Sequence, residues 1–291
     1  VQDILRKIPP EKRRTISAVY ASILILAISL IMLANSGGEI DTDLIPYFDA
    51  TIYLIILGSS SVLIFIGIPL LFILVILKIE INEFIPKISW FTATSALLIT
   101  VCAMVIISPV AEWNMNLDFG DSDFAQWARN SEDQLRMLTA HLTTFTSPVQ
   151  FVLSLVVIGI IPAVGEELLF RGLIQNNLSI ALKNHHTAIW LTGFIFAAIH
   201  LQFFGLVPRM LLGVLFGYLY HWSGKLTVAM LAHLINNGLQ VVLLYLVQQE
   251  AIDISPEEME QAAPWPALLI FGALGAYLLY NFKQRFNPEN E

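Results

Sequence analysis

The chain has 291 residues, 56% of them hydrophobic and 13% charged, with a mean hydropathy of +0.71, whereas a soluble domain carries about 25% charge. This composition excludes a soluble globular protein. The net charge of −8 makes nucleic acid an unexpected partner, and a single cysteine, Cys102, excludes a disulfide framework.

Asp, Glu, Lys and Arg are absent from 15–38, 50–77, 88–111, 137–165, 184–208, 226–249 and 261–282, and from a shorter interval at 210–224. The seven long intervals each hold the roughly 20 residues a helix needs to cross a bilayer core. They lack the alternation of a barrel strand, so the fold class is an all-α polytopic membrane protein. The predicted spans are 16–34, 52–77, 89–110, 148–170, 187–204, 208–222, 226–248 and 265–282, eight crossings.

Charge sets the expected orientation. Arg6, Lys7, Lys12, Arg13 and Arg14 precede the first span, and Lys78, Lys87, Lys183, Lys225, Lys283 and Arg285 fall at later alternate ends. Glu39, Asp41, Asp43 and Asp49, and again Glu250, Asp253, Glu257, Glu258 and Glu260, lie between them. The positive-inside rule then puts both termini in the cytoplasm, with Arg129, Arg136 and Arg209 outside as exceptions. The first apolar run, about 19 residues, exceeds the usual 7–15 of a signal-peptide core, so it reads as an uncleaved span.

Three units are expected: 1–147, a three-span extension with an amphipathic helix on the outer side; 148–249, a catalytic core; and 250–291, an acidic loop and the final span. Phe124, Trp127, Leu135, Leu138, Leu142 and Phe145 recur at helical spacing within 112–147, which predicts the amphipathic helix. It suits packing on the bundle rim and gating of a substrate equally. The first three spans and the last are nearly pure Leu, Ile, Val, Ala and Phe, a composition without chemistry.

The block 148–240 differs. Glu166, Glu167, Arg171, His200 and His233 fall in or at the edge of spans, where a charged side chain costs about 2.5–3.5 kcal/mol on insertion scales, so these residues mark a functional site. Glu167 and Arg171 are one turn apart in the order that favours an ion pair. Glu166 points about 100° away on the helix and is left as a second carboxylate, suited to act as a general base. His200 follows Phe196 by one turn. His233 and Asn237 share a helix face and can aim two donors at one point, as an oxyanion hole requires, while Asn236 points off that face. Gly213 and Gly217 form a small-residue face for close helix packing. His141, His185, His186 and His221 lie near predicted interfaces and read as solvated.

A carboxylate, an imidazole and a donor pair make a hydrolytic site: Glu166 with His200 holds and deprotonates water, and His233 with Asn237 stabilises a tetrahedral oxyanion. Glu166, His200 and His233 are also a set able to bind zinc with an open fourth position. A transporter or a bacteriocin-immunity protein could use the same polar cluster as a relay or binding site, but the Asn237 donor has no evident job in carrying protons.

Glu166-Glu167-x-x-x-Arg171, Phe196-x-x-x-His200 and His233-x-x-x-Asn237 resemble the three ordered motifs of the CPBP family, the CAAX proteases and bacteriocin-processing enzymes, which includes the type II CAAX prenyl endopeptidases and the Abi proteins. The resemblance covers about 148–240, and the Phe203 to Asn237 stretch is similar to bacterial members. It implies an intramembrane endopeptidase in which Glu166 and His200 activate water, His233 and Asn237 form the oxyanion hole, and Glu167, Arg171 and Phe196 support them. It implies a bilayer-embedded protein, in the inner membrane if bacterial, with its active site toward the cytoplasm and a membrane-associated or lipidated peptide or protein as substrate. Family members are described both as metalloproteases and as metal-free glutamate proteases; one role per residue favours the site without a cofactor, with zinc as the alternative.

Overall fold

The computed structural model describes residues 49–76, 78, 80 and 86–286. The predicted span 16–34, the basic N-terminal residues and Glu39, Asp41 and Asp43 lie outside that range. Among the described residues the chain is helical throughout, and six helices are long and apolar enough to cross a membrane. We label the main helices α1 (Ala50–Val75), α2 (Trp90–Met115), α3 (Asp123–Leu142), α4 (Pro148–Leu182), α5 (His185–Ala198), α6 (Leu206–Ser223), α7 (Leu226–Gln248) and α8 (Trp265–Arg285). All except α3 and α5 belong to the six candidate spans.

Local chemistry sets these boundaries. Asp49, Ser89, Ser122 and Ser147 each accept a backbone N–H at a helix start, and Pro148 occupies the first position of α4, where no N–H is needed. At the Asp49 cap, hydrogen bonds from Thr51 and Ile52 hold the carboxyl below its ordinary range. Gly224, at φ 65°, ends α6 in the left-handed conformation that glycine adopts without strain.

The structure extends the predicted span 148–170 to residue 182 and shortens the predicted span 187–204. α5 has 14 residues, about 21 Å, and gives way to a tip at 199–205 in which Leu201 takes φ 54°. Two of those 14 are His185 and His186 at its first turn, so the apolar stretch is short for a bilayer. α5 and α6 therefore form a hairpin, stacked at its base through the rings of His185 and His221, 4.7 Å apart, which are half-buried and not solvated as expected.

Polar ties sort the connections into two ends. Arg136 pairs with Glu260 at 3.2 Å, Glu112 accepts the Ala262 N–H and Ser108 accepts that of Ala263, so 112–147 and 250–264 share one end of the bundle. Thr227 Oγ1 donates to the Pro86 carbonyl at 2.6 Å, which places 86 and 227 together at the other. The hairpin tip belongs to the first end, because Asn114, buried at the end of α2, donates to the Phe203 carbonyl at 2.9 Å and accepts the Val207 N–H at 2.8 Å.

The predicted amphipathic helix forms as α3. Leu142 and the following Phe145 are buried, while Phe124 and Trp127 remain exposed and join Phe119, Phe203 and Phe204 in an aromatic cluster over the tip. The main core is built chiefly from α4, α5, α6 and α7, around Phe170, Leu173, Phe196, Phe216, Ala229 and Ala232, and is joined by Phe72 and Ile73 of α1, Ala96 and Ile99 of α2 and Phe282 of α8. Cys102 is buried, and its Cβ would lie 3.1 Å from a Cβ built on Gly275 of α8.

α1 approaches α4 at Gly165, where an added Cβ would lie 2.6 Å from Phe65 Cβ and 3.1 Å from its carbonyl carbon. Neither atom can rotate away, so Gly165→Ala should force the two helices apart and destabilise the protein by about 1–3 kcal/mol. Gly272→Ala on α8, where a Cβ meets nothing within 4 Å, is the control and should hold or slightly raise the melting temperature, read by thermal unfolding in detergent.

Candidate active site

α4 is 35 residues long, about 52 Å, and carries the first group of polar residues near its middle. Glu167 and Arg171 are fully buried and joined at 2.5 Å, as the one-turn spacing predicts. Arg171 uses its second nitrogen, Nη2, to donate to the Gly213 carbonyl on α6 at 2.7 Å, and one turn on Gln175 donates to the Gly217 carbonyl at 3.1 Å. A Cβ on Gly213 would crowd Arg171 Nη2 at 3.3 Å, and one on Gly217 would meet Gln175 Oε1 at 2.7 Å. The two glycines thus expose carbonyls to buried donors as well as allowing close packing. The guanidinium lies over the rings of Phe196, at 4.8 Å, and Phe216, at 5.5 Å, where the ring quadrupole favours a cation.

Glu167 also sets the imidazole of His233. Its Oε1 accepts from His233 Nδ1 at 2.8 Å, which fixes the tautomer with the proton on Nδ1. Phe216 stacks on the ring at 5.4 Å and Phe196 meets it edge-on at 5.8 Å, so the imidazole is held on three sides. The other nitrogen, Nε2, faces Glu166 Oε2 at 3.9 Å and Asn237 Nδ2 at 3.2 Å.

Asn237 has a second anchor whose origin is visible in the sequence. In an α-helix the Ile158 carbonyl would accept from the N–H of residue 162, but Pro162 has none. Asn237 Nδ2 donates to that carbonyl at 3.1 Å. Asn236, which helix spacing alone excludes from the site, donates to Asn237 Oδ1 at 2.9 Å and holds the amide in that sense. Both N–H groups of Asn237 are therefore engaged, one by Ile158 and one by His233 Nε2.

Glu166 stands apart. Its side chain is 13% exposed against 0% for Glu167, and no described residue donates a hydrogen bond to it. On its own helix it has no ion-pair partner, as the 100° separation predicts, and His233 Nε2 lies 3.9 Å from its Oε2. His200 Nδ1 donates to the Phe196 carbonyl at 2.7 Å, which leaves Nε2 with a free lone pair. Its ring meets Phe196 edge-on at 5.3 Å, so one phenyl ring stands against both imidazoles. Glu166, Glu167, Arg171, Phe196, His233 and Asn237 thus converge by direct contact, and His200 joins them through Phe196 without bonding to Glu166.

Arg209, expected outside among the exceptional charges, belongs to the surroundings of this site. Its Nη2 donates to Gln202 at 2.7 Å, and it interacts electrostatically with Glu132 of α3 and with Glu166. The signal for it in the sequence is its place inside the polar block 148–240, between His200 and Gly213.

For zinc, the donor set is unfavourable. Among the described residues no three His, Cys, Asp or Glu side chains are placed to hold one ion. His233 has Nδ1 committed to Glu167 and Nε2 to Asn237, so it could ligate a metal only by giving up the Asn237 bond.

Arg171→Ala would leave Glu167 buried without its cation, a change that typically costs about 3–5 kcal/mol. The expected outcome is lower yield of folded protein and a lower melting temperature together with loss of any activity. An Arg171→Ala protein as stable as the wild type would remove the structural role assigned to this pair.

Residues 148–239 match the family model described as type II CAAX prenyl endopeptidase Rce1-like. A Bacillus subtilis (strain 168) protein named "Uncharacterized protein YpbD" is 29% identical over 108 residues, 35% of this chain, and the chain spans about half of that relative, 52% of its length. No solved structure matches the chain. The matched segment opens at the start of α4 and closes within α7, and so takes in every motif residue described above.

Proposed function

We propose that this integral membrane protein is an intramembrane endopeptidase in which Glu166 activates a water molecule for attack on a peptide bond. The observation that carries the proposal is the unequal state of two adjacent carboxylates. Glu167 is buried and bound by Arg171 and His233, whereas Glu166 is partly exposed and accepts no hydrogen bond from the described residues. Of the two, Glu166 is the one free to take a proton.

In the proposed reaction, water lies between Glu166 and the free Nε2 of His200. Glu166 accepts its proton as the oxygen attacks the carbonyl carbon, and returns it to the leaving amine when the tetrahedral intermediate collapses. The developing oxyanion replaces His233 Nε2 as the partner of one Asn237 N–H. For His233 to complete the donor pair, Nε2 takes up a proton from solvent before attack and gives it back on product release. The Nδ1 bond to Glu167 and the Ile158 anchor keep both donors oriented throughout.

Depth supports an intramembrane site. His233 is the eighth residue of α7 and Gly213 the eighth of α6, which puts the Glu167 cluster about 10 Å from the 224–225 turn along one helix and about 10 Å from the hairpin tip along the other. The ends bearing Lys87, Lys183 and Lys225 are proposed to face the cytoplasm, across the inner membrane if the source is bacterial, with substrate reaching the site from that side. The substrate is proposed to be membrane-associated or lipidated, and the family description makes a prenylated CAAX peptide the first probe to try.

Glu166→Gln keeps the shape of the side chain and removes its basicity. Cleavage of a farnesylated CAAX peptide by the purified protein should fall by about 10²- to 10⁴-fold with the melting temperature unchanged. Near-normal turnover in that variant would rule out this mechanism, and binding without cleavage by the wild type would favour a transporter or immunity role.

The same assay addresses the cofactor. In the proposed mechanism every group is supplied by the chain, so protein treated with chelator and checked by metal analysis should retain its activity. Activity lost on chelation and restored by zinc would overturn the metal-free mechanism while leaving the peptidase standing.

A further inference from the structure

On the tip side of the Glu166 cluster, three polar residues from two distant segments meet. Gln202, in the tip, donates from Nε2 to Glu132 Oε1 of α3 at 3.3 Å and accepts through Oε1 from Arg209 Nη2 at 2.7 Å. Two atoms remain over: Arg209 Nη1, a donor, and Glu132 Oε2, an acceptor. Both are buried and neither has a hydrogen-bond partner among the described residues. Leaving such groups unpaired is costly, more so when they are charged.

The charge balance says what would suit them. Arg209 interacts electrostatically with both Glu132 and Glu166, so the cluster of one cation and two carboxylates is already net negative. A further carboxylate would be repelled. A peptide unit is neutral and offers an acceptor, its carbonyl, and a donor, its N–H, which are the complements of Arg209 Nη1 and Glu132 Oε2.

The geometry points to Arg209 and Glu132 as a subsite for the main chain of the peptide substrate, one that takes a neutral peptide unit and disfavours an acidic residue. The inference rests on the peptidase reading and adds a specificity-determining pair to it. Gln202 holds the two side chains in register, and Asn114 fixes the tip that carries Gln202. α3 thereby contributes to substrate binding through Glu132, which decides between the two roles its amphipathic sequence allowed.

The test uses equilibrium binding to the intact Glu166→Gln protein in nanodiscs, so that it does not depend on cleavage. The probe is a fluorescent farnesylated CAAX peptide, together with a series in which each backbone amide in turn is replaced by an ester and each residue in turn by Asp. One ester should weaken binding about tenfold, and Asp at the same residue should do likewise. Adding Glu132→Gln, which removes the charge and leaves one acceptor oxygen in place of two, should weaken the parent peptide no more than the ester does and relieve most of the Asp penalty. Arg209→Met should weaken the parent to the level of the ester, and Arg209→Lys provides the arm for a Met variant that fails to fold. A flat ester scan, an Asp penalty unchanged by Glu132→Gln, or no binding of the parent would each overturn the subsite. Parent peptide bound here but left uncut by wild-type protein would overturn the peptidase reading and leave the subsite in place.

Discussion

A buried ion pair between Glu167 and Arg171 organises this site. Taking two charges into a membrane-embedded core is expensive, and a pair alone does not repay the desolvation unless its remaining donors and acceptors are also satisfied. That requirement propagates outward. Arg171 reaches the Gly213 carbonyl and the faces of Phe196 and Phe216, and Glu167 reaches His233. These contacts tie α4 to three other helices, so one electrostatic need fixes α5, α6 and α7 around it. The network is not saturated, since Glu167 Oε2 and Arg171 Nε lack partners among the described residues, which leaves it tolerant of little further loss.

The same pair separates the roles of two neighbouring glutamates. Consecutive residues on a helix diverge by about 100°, so a single guanidinium one turn away serves one of them. Glu167 takes Arg171 and the Nδ1 proton of His233, and its charge is neutralised. Glu166 receives neither. Two identical side chains, adjacent in sequence, are given opposite chemistry by geometry alone, one as a fixed anion that orients an imidazole and the other as an uncommitted carboxylate beside it.

The sequence reveals those features whose cause is local. Charge-free intervals mark the helices, i to i+4 spacing marks the Glu167–Arg171 pair and the His233–Asn237 face, and the amphipathic stripe marks α3. What it conceals arises between segments far apart. Nothing near residue 114 announces that its amide clamps a turn at 203–207, and nothing near 132 announces contact with Gln202. Arg209 reads as a stray surface charge because its partners are 7 and more residues away in other elements. The shortness of α5 is hidden because the apolar run continues through the tip. His185 and His221 become recognisable as a stacked pair only when the hairpin brings its two ends together. Pro162 is an intermediate case: the missing N–H can be read directly, but not that Asn237 would supply the donor.

These long-range contacts bear on where specificity resides. The residues of the candidate site all lie between α4 and α7, within the segment that matches the family model. Their placement nevertheless depends on helices outside it. Phe65 of α1 sets how closely Gly165 can pack, Asn114 of α2 holds the tip beyond His200, and Glu132 of α3 reaches Gln202 and, through it, Arg209. A catalytic centre of the kind proposed demands fixed positions, so the matched segment could keep its chemistry while the surrounding helices vary what stands beside it. On the proposed reading, changes in α3 would alter which peptide is accepted without touching Glu166, because Glu132 would meet the peptide main chain beside the tip and not the scissile bond.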